Sequence, residues 1–315
     1  MHHRYHFTHL TMASGLLLAL LLLQPQDVSA QQKSSVDIFS GLEFNMRDIS
    51  YNGRQYDLFI SLTPGFKWDF GNHWQVAGMF YVNVLNQFDN IPDVNGNYYD
   101  YYHDSYHPVF QFGMLDVSKE FRLGGIYCKA SGGFFTTSRY GIDIKAFWPV
   151  ADWFAFEGQA GLTGFYGFQG GFGVSPIQRF SGTFGGDIYF KRSNTQLRGV
   201  IGSYIYRDWG FEAEAMRHFR HSTVSLYACW NDKEAFDGGF KVVVMLPPYH
   251  RTHRTVNFRP ASNFQLPYSI NLHSFTNCMY NTDPEQNIRD GWFSRDFLPW
   301  GSHNMEPDYI ITEKE

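Results

Sequence analysis

The chain has 315 residues, of which 19% are aromatic and only 17% are charged, and its formal net charge is −5. No basic face or basic run is present, which argues against a nucleic-acid partner. Three widely separated cysteines, Cys128, Cys229 and Cys278, argue against a disulfide framework. Without CxxC or Cys/His spacing, they also give no sign of a metal site, and we predict neither a metal nor a cofactor.

The N-terminus has the pattern of a secretory signal. Arg4 precedes an apolar run at 16–23, and Val28-Ser29-Ala30 fits the small-residue cleavage pattern. The run is shorter than the ~20 residues that a membrane-spanning helix needs. We therefore predict that residues 1–30 are a cleaved signal peptide and that the exported chain begins at Gln31.

Long stretches of alternating polarity follow. In RQYDLFISLTPGFKWDF (54–70), apolar and aromatic residues occupy the even positions and polar residues most of the odd ones. Successive side chains of a strand point to opposite faces, so this pattern predicts a strand with one apolar face and one polar face. Its length greatly exceeds the usual ~5–6 residues. Similar patterns, some weaker, occur at 36–46, 74–88, 108–121, 123–135, 140–150, 154–168, 180–190, 196–206, 209–215, 224–230 and 240–246.

These strands predict an all-β fold, an antiparallel transmembrane β-barrel of the outer-membrane type with about 12 strands (12–14) over residues 31–275. Lipid on one face and a polar lumen on the other explain the alternation, and aromatic residues near strand ends fit the membrane interfaces. In 154–168, for example, we place Leu162 and Tyr166 on the lipid face. A secreted β-sandwich is the alternative, but its strands are shorter. We expect the outer membrane of a Gram-negative bacterium, with outer-membrane lipid as a partner.

The connections between strands fall into two classes. The short ones at 69–72, 150–153, 191–195 and 219–222 are predicted to be periplasmic turns. The longer ones at 89–107, 168–179 and 231–238 are predicted to be extracellular loops. The connection at 206–211 is short but falls on the long-loop side, so the strand number stays open between 12 and 14. Residues 276–315, with eight acidic and three basic residues, predict a short, polar, periplasmic tail.

The charged residues on the polar face are candidates for lining the lumen: Asp57, Lys67, Arg139, Asp143, Lys145, Glu157, Asp187, Glu212 and Glu214. They either fill the interior as ion pairs or form a conduit for a glycan. Candidates for stacking against sugars are the inward tyrosines Tyr81 and Tyr127 and the loop tyrosines Tyr98, Tyr99, Tyr101 and Tyr102. The alternative for these rings is ordinary packing.

A catalytic role is not indicated. His218, His221 and Ser222 are close in sequence, but they lie at a predicted periplasmic turn, and no orienting group accompanies them. We therefore predict that the protein is not an enzyme and has no catalytic residues.

The last third of the chain resembles a known family. SYIYRDWGFEAEAMRHF (203–219), VSLYACWNDKEAFDGGFKVVVMLPP (224–248) and VNFRPASNFQLPYSI (256–270) resemble the barrel portion of the YjbH family of exopolysaccharide-associated outer-membrane proteins, and 279–301 resembles the tail of capsule-linked relatives. The resemblance implies a non-enzymatic role in exopolysaccharide or capsule export or assembly, with polysaccharide and export-machinery proteins as partners. The alternatives are a porin-like diffusion channel and a lipid-modifying barrel enzyme.

Overall fold

The computed structural model describes most of the chain between residues 34 and 285. The described ranges are 34–48, 56–87, 109–151, 153–168, 172–205, 208–219, 222–232, 236–246, 255–261, 263–270 and 279–285. The predicted signal peptide (1–30) and the loop 89–107 lie outside them.

Within these ranges the chain forms strands at nearly every place that the alternation indicates. The strands are β1 (Ser35–Arg47), β2 (Asp57–Gly71), β3 (Trp74–Asn86), β4 (Phe110–Leu123), β5 (Ile126–Phe135), β6 (Arg139–Ala151), β7 (Phe154–Gly167), β8 (Gly173–Val174), β9 (Arg179–Phe190), β10 (Thr195–Ser203), β11 (Trp209–His218), β12 (Ser222–Asn231), β13 (Asp237–Met245), β14 (Val256–Pro260) and β15 (Asn263–Ser269). None of the described residues belongs to a helix that is long and apolar enough to cross a membrane.

The strands close into a barrel. Consecutive strands pair in antiparallel fashion from β1 to β7 and from β9 to β13, β7 pairs with β9, and β13 pairs with β15. The two halves of β1 pair with β14 and β15, which closes the ring, whereas β8 pairs only with β7. Because β14 and β15 share one position in the wall, the barrel has thirteen positions.

The odd number sets the geometry of the seam. With thirteen alternating positions, the first and the last must point the same way, and β1 indeed pairs with both β14 and β15 in parallel. The predicted all-β barrel of 12–14 strands is confirmed, but the expectation of purely antiparallel pairing is wrong at this seam. Val36 pairs with Val256 and Met46 pairs with Tyr268, so the difference in residue number between the two partners grows from 220 to 222. Between these two pairings the C-terminal strands therefore contain two more residues than β1.

The two faces of the wall have the polarity that the sequence predicts. On β2, Leu62 and Trp68 are 42% and 44% exposed, whereas the alternate residues Asp57 and Ser61 are 0% exposed. Large apolar side chains are exposed on the outside all around the barrel, and most buried polar and charged residues face the inside. A closed sheet with an apolar outer face satisfies its backbone hydrogen bonds in hydrocarbon. The molecule is therefore a transmembrane β-barrel.

Aromatic clusters mark both ends of the strands. At the end that carries the turns β2–β3 and β6–β7, the rings of Trp68 and Phe70 lie 5.7 Å apart and those of Trp153 and Phe154 also 5.7 Å apart. At the other end, the ring centroids of Trp209 and Trp230 lie 5.1 Å apart. Such belts fit the two interfaces of a bilayer.

The direction of the chain places its C-terminal part unexpectedly. β1 begins beside the β2–β3 turn, since Ser35 pairs with Asp69, and we name this the short-turn end. β15 runs parallel to β1, so it ends at the opposite end, which we name the long-loop end. Residues 279–285 then lie buried inside the barrel, where Tyr280 is 1% and Thr282 1% exposed. Of the predicted polar, periplasmic tail (276–315) the structure describes only 279–285, which lie inside the lumen, and for the rest the prediction stays open.

Candidate functional site in the lumen

The predicted lumen residues lie on the inner face of the wall. Asp57, Arg139, Asp143, Lys145, Asp187 and Glu214 are buried, and Lys67, Glu157 and Glu212 are partly buried. Several form ion pairs across neighbouring strands: Arg198 Nε lies 2.7 Å from Glu157 Oε1, and Lys241 Nζ lies 2.9 Å from Glu214 Oε1. Opposite charges thus neutralise one another along much of the wall.

The tyrosines singled out for sugar stacking take part in packing where the structure describes them. Tyr81 is buried with Met79 and Met114, and the Tyr127 ring lies 4.8 Å from the Arg122 guanidinium. Tyr98, Tyr99, Tyr101 and Tyr102 lie outside the described residues. Their role in sugar stacking stays a prediction.

The lumen contains a stretch of chain that belongs to none of the strands. We name residues 279–285 (MYNTDPE) the luminal segment. Its first two residues, Met279 and Tyr280, join a buried apolar cluster at the long-loop end, whose wall members are Phe135, Tyr204, Ile205, Cys229 and the partly buried Tyr227. Apolar side chains of the wall and of the segment therefore pack together at this end of the lumen.

Tyr280 is fixed on several sides. Its ring stacks on Phe135 at a centroid distance of 5.1 Å, and its hydroxyl donates a hydrogen bond to Asp143 Oδ1 at 2.8 Å. Gly161 on β7 faces the same hydroxyl, and a Cβ there would overlap it. The absence of a side chain at Gly161 therefore makes the space that Tyr280 occupies.

The backbone of the segment continues these contacts. The Asn281 N–H donates to Thr136 Oγ1 at 2.7 Å, and the Asn281 carbonyl accepts a hydrogen bond from the Thr136 N–H at 3.3 Å. Thr136 belongs to the tight β5–β6 turn, in which Thr137 and Ser138 both have positive φ values. The turn thereby offers both a donor and an acceptor to the segment.

Farther towards the short-turn end, the segment ends in a set of ion pairs. We name Lys67 on β2, Lys129 on β5 and Arg259 on β14 the cationic cluster. Lys67 Nζ lies 2.8 Å from Asp283 Oδ1 and 2.9 Å from Glu285 Oε2, and Lys129 Nζ lies 3.4 Å from Asp283 Oδ2. Arg259 holds Glu285 with two parallel bonds, of 2.6 and 2.7 Å. Such bidentate, charge-assisted bonds are among the strongest in proteins.

The contacts cross the lumen from wall to wall. The hydroxyl of Ser181 on β9 lies 3.5 Å from that of Tyr280, while Glu285 binds Arg259 on β14. Going around the barrel wall in one direction, four strands, β10 to β13, lie between β9 and β14. The segment therefore contacts well-separated parts of the wall. Beside the segment lie cavities of about 20 Å³ and about 50 Å³, the first bordered by Glu285 and the second by Tyr280. Spaces of this size hold only a few waters.

The two acidic residues of the segment are ionised in this position. Burial alone would raise the pKa of Asp283, but the charges of Lys67 and Lys129 outweigh it and hold that pKa well below its usual range. Burial also opposes ionisation of Glu285, yet Lys67 and Arg259 lower its pKa. Both carboxylates therefore keep their charge at neutral and mildly acidic pH.

This ionisation predicts how binding of the segment depends on pH. A carboxyl whose pKa is lowered in the bound state stabilises that state above its ordinary pKa of about 4, and the contribution is lost as the pH falls through the lowered value. We expect the conductance of the intact protein, measured in planar bilayers, not to rise when the pH is lowered from about 8 to about 5. A rise in conductance within that range would contradict the assignment.

Gly161 allows a test of the segment's position. In Gly161→Ala, the added methyl group would overlap the Tyr280 hydroxyl, so we expect the segment to be displaced and the conductance to increase. Gly158→Ala on the same strand is the control, because a Cβ there would meet only ordinary contacts at 3.6 and 3.9 Å. Equal conductance of the two variants in planar bilayers would show that Tyr280 does not lie against Gly161.

The structure also positions the residues considered for catalysis and metal binding. Both ring nitrogens of His218 have polar neighbours, Thr223 Oγ1 at 2.9 Å and Gln196 Oε1 at 3.0 Å. His221 lies outside the described residues. Cys128 and Cys229 are buried free thiols. Among the described residues no group of three or more His, Cys, Asp or Glu is placed to hold a metal ion.

Comparisons with known proteins give likeness in structure only. No protein-family model matches the sequence, and no curated protein matches it. Among solved structures, an engineered variant of Rhodopseudomonas blastica porin is similar over 68% of this chain and 91% of its own, at 9% identity and a TM-score of 0.40. A triple mutant of that porin is similar over 69% of this chain and 91% of its own, at 8% identity and a TM-score of 0.40. The barrel assignment stands on the strand pairing of this chain, since likeness this distant adds nothing to it.

Proposed function

We propose that the protein is a porin-like channel of the bacterial outer membrane for small hydrophilic solutes, and that its own luminal segment closes this channel. A single observation carries the proposal. The wall encloses more room than its side chains fill, and a separate stretch of chain, residues 279–285, occupies that room.

Barrel size supports this proposal. Barrels of about 8 strands have an interior that side chains alone fill, whereas porins with about 16–18 strands leave an aqueous channel. Thirteen positions lie between these sizes. Removing the luminal segment would leave a passage about as wide as a peptide chain, lined by the charged and hydrogen-bonding residues of the inner face.

Planar-bilayer recording tests the proposal directly. The purified intact protein is expected to show low conductance, and a variant truncated before residue 279 is expected to show larger and steady conductance. A truncated variant that inserts as a folded barrel, judged by its heat-modifiable migration in gels, and yet does not conduct would overturn the proposal.

The role implied by the YjbH-like sequences stays a separate prediction. Export or assembly of an exopolysaccharide or capsule would require polysaccharide and export-machinery proteins as partners. A polar lumen is compatible with a glycan and equally with other hydrophilic solutes. A deletion strain with unchanged surface glycan would count against this role. The expectation that the protein is not an enzyme likewise stays a prediction, and hydrolysis of lipid or glycan by the purified protein would contradict it.

A further inference from the structure

The cationic cluster is arranged as a binding site, and the luminal segment occupies it. Three cations from β2, β5 and β14, which are distant along the chain, converge on two carboxylates that are only two residues apart. All five side chains are largely buried, with exposures between 5% and 17%. Five opposed charges this close together in the lumen form a specific contact rather than a solvated surface.

In the part of the chain that the structure describes, the wall supplies direct ion pairs to only two of these three cations, and the buried Asp116 on β4 adds a more distant attraction to Lys67 and Lys129. Arg259 Nε has a wall partner in Asp37 at 3.1 Å, and Lys129 has a distant one in Glu120 at 3.9 Å. In contrast, the ion pairs of Lys67 among the described residues go to the segment, through Asp283 and Glu285. When the segment leaves, the cluster therefore presents Lys67 and the outer edge of Arg259 to whatever enters the lumen.

We propose that Lys67, Lys129 and Arg259 form a binding site for small dicarboxylate solutes, and that Asp283 and Glu285 act as an internal substitute for such a solute. This inference rests on the proposed channel and specifies its solute class.

The geometry favours two carboxylates over one. The single ammonium of Lys67 bridges both acidic groups, at 2.8 and 2.9 Å, so the two carboxylates lie close together. Arg259 binds the Glu285 carboxylate in bidentate fashion, and Lys129 lies near the Asp283 carboxylate. A four-carbon dicarboxylate such as succinate can place its two groups within this distance. A monocarboxylate can contact only one side of the cluster, that of Lys129 or that of Arg259.

The segment competes with the solute because it is part of the same chain. A tethered ligand acts at an effective concentration of roughly millimolar order or above. Binding is therefore best measured where the substitute has been neutralised, in the variant Asp283→Asn/Glu285→Gln, which keeps the chain length and removes both negative charges.

Isothermal titration of this double variant in detergent with succinate, and separately with propionate, tests the inference. We expect saturable binding of succinate that is at least roughly 10-fold tighter than binding of propionate, because its second carboxylate makes a further charge-assisted hydrogen bond. Adding Lys67→Gln should weaken succinate binding by roughly 10-fold or more for the same reason.

Lys241→Gln in the same background is the matched control. It also removes one buried luminal lysine, but that lysine pairs with Glu214 and belongs to another part of the wall. We expect it to leave succinate binding unchanged. Equal losses in the Lys67 and Lys241 variants, equal affinity for succinate and propionate, or no binding by the folded double variant would each overturn the inference.

Conductance of the double variant separates this inference from the proposed function. Conduction without succinate binding would overturn the dicarboxylate site and leave the channel standing. Succinate binding without conduction would support the site and overturn the channel. Succinate binding together with conduction that succinate reduces supports both.

Discussion

Replacing Asp283 by Asn and Glu285 by Gln is expected to raise the single-channel conductance of the intact-length protein several-fold. Both carboxylates lie in the cationic cluster, with Lys67 Nζ at 2.8 and 2.9 Å. Breaking a buried ion pair by removing one partner costs about 3–5 kcal/mol, which corresponds to roughly a hundred-fold change or more in an equilibrium constant. The segment should therefore spend most of its time outside the site. The measurement is single-channel recording in planar bilayers.

A second double variant controls for the loss of two negative charges. Asp48 and Asp232 are exposed at the long-loop end, and neither contacts the cationic cluster. Asp48→Asn/Asp232→Asn is expected to conduct like the intact protein. If the conductance of both double variants rises equally, net charge rather than binding of the luminal segment governs it.

Placing an arginine on the outer face at mid-membrane is expected to have a large effect on folding. Leu226 lies at the centre of β12 and is 66% exposed. In water, such a surface substitution changes the free energy of unfolding by at most about 0.5 kcal/mol. In a bilayer, arginine at the midplane of a barrel destabilises it by roughly 2–4 kcal/mol. We expect Leu226→Arg to lower the free energy of unfolding by the larger amount, roughly 2–4 kcal/mol, measured by urea titration of the barrel folded into phospholipid vesicles.

The matched control is Leu123→Arg. Leu123 is 61% exposed, nearly as much as Leu226, but it is the last residue of β4, at the short-turn end. Near a membrane interface the cost of arginine falls to roughly 0–1 kcal/mol. Equal small losses in both variants would show that β12 does not face hydrocarbon.

The sequence predicts the wall of the barrel well because a strand's alternation is a local property. The even residues of β2, such as Leu62 and Trp68, are exposed outside, and odd residues such as Asp57 and Phe59 are buried inside, as the pattern 54–70 indicates. A strand that faces lipid on one side and a polar lumen on the other needs this contrast at every second residue. The inner-face charges could therefore be named from the sequence.

Alternation predicts the side on which a residue lies, but not whether neighbouring side chains cover it. Tyr166 was predicted to face lipid, but it is 1% exposed, and its hydroxyl donates to the Phe135 carbonyl at 3.2 Å. β7 pairs with β9 only as far as Thr163, and Tyr166 pairs with Val174 of β8 instead. The Tyr166 ring packs edge-on against Phe134 at 5.2 Å, and Phe134 is on the outer side because it pairs with the exposed Leu115. Tyr166 thus keeps the predicted side of the strand, but neighbouring rings cover it, and parity alone does not reveal such covering.

The strand count and the connection at 206–211 needed three-dimensional information. Alternation of strand direction predicts that the short connection at 206–211 lies on the long-loop side, and β10 and β11 do meet at that end. Tyr204 and Ile205 are buried in the apolar cluster at the long-loop end, where Arg139 and Arg179 donate to the Ile205 carbonyl at 3.2 and 2.9 Å. The end of β10 that leads into this connection is therefore fixed inside the barrel. The parallel seam follows from the odd number of strands, which no single stretch of sequence encodes.

The luminal segment was missed for a physical reason. A polar lumen and bulk water favour the same residue types, so MYNTDPE within an acidic tail gives no local sign that it is buried. Its partners, such as Thr136, Gly161 and Lys67, lie between roughly 120 and 220 residues earlier in the chain. Six of the nine charged lumen candidates are acidic and three are basic, so their composition does not indicate a missing anion.

Adding the segment back as a free peptide tests most directly whether it closes the lumen. The barrel truncated before residue 279 is recorded in planar bilayers while MYNTDPE, and separately MYNTNPQ, is added on the long-loop side. We predict that MYNTDPE reduces the conductance in a saturable manner and that MYNTNPQ, without the two carboxylates, does so far more weakly. No reduction by MYNTDPE, or the same reduction by both peptides, would contradict a lumen closed through the cationic cluster.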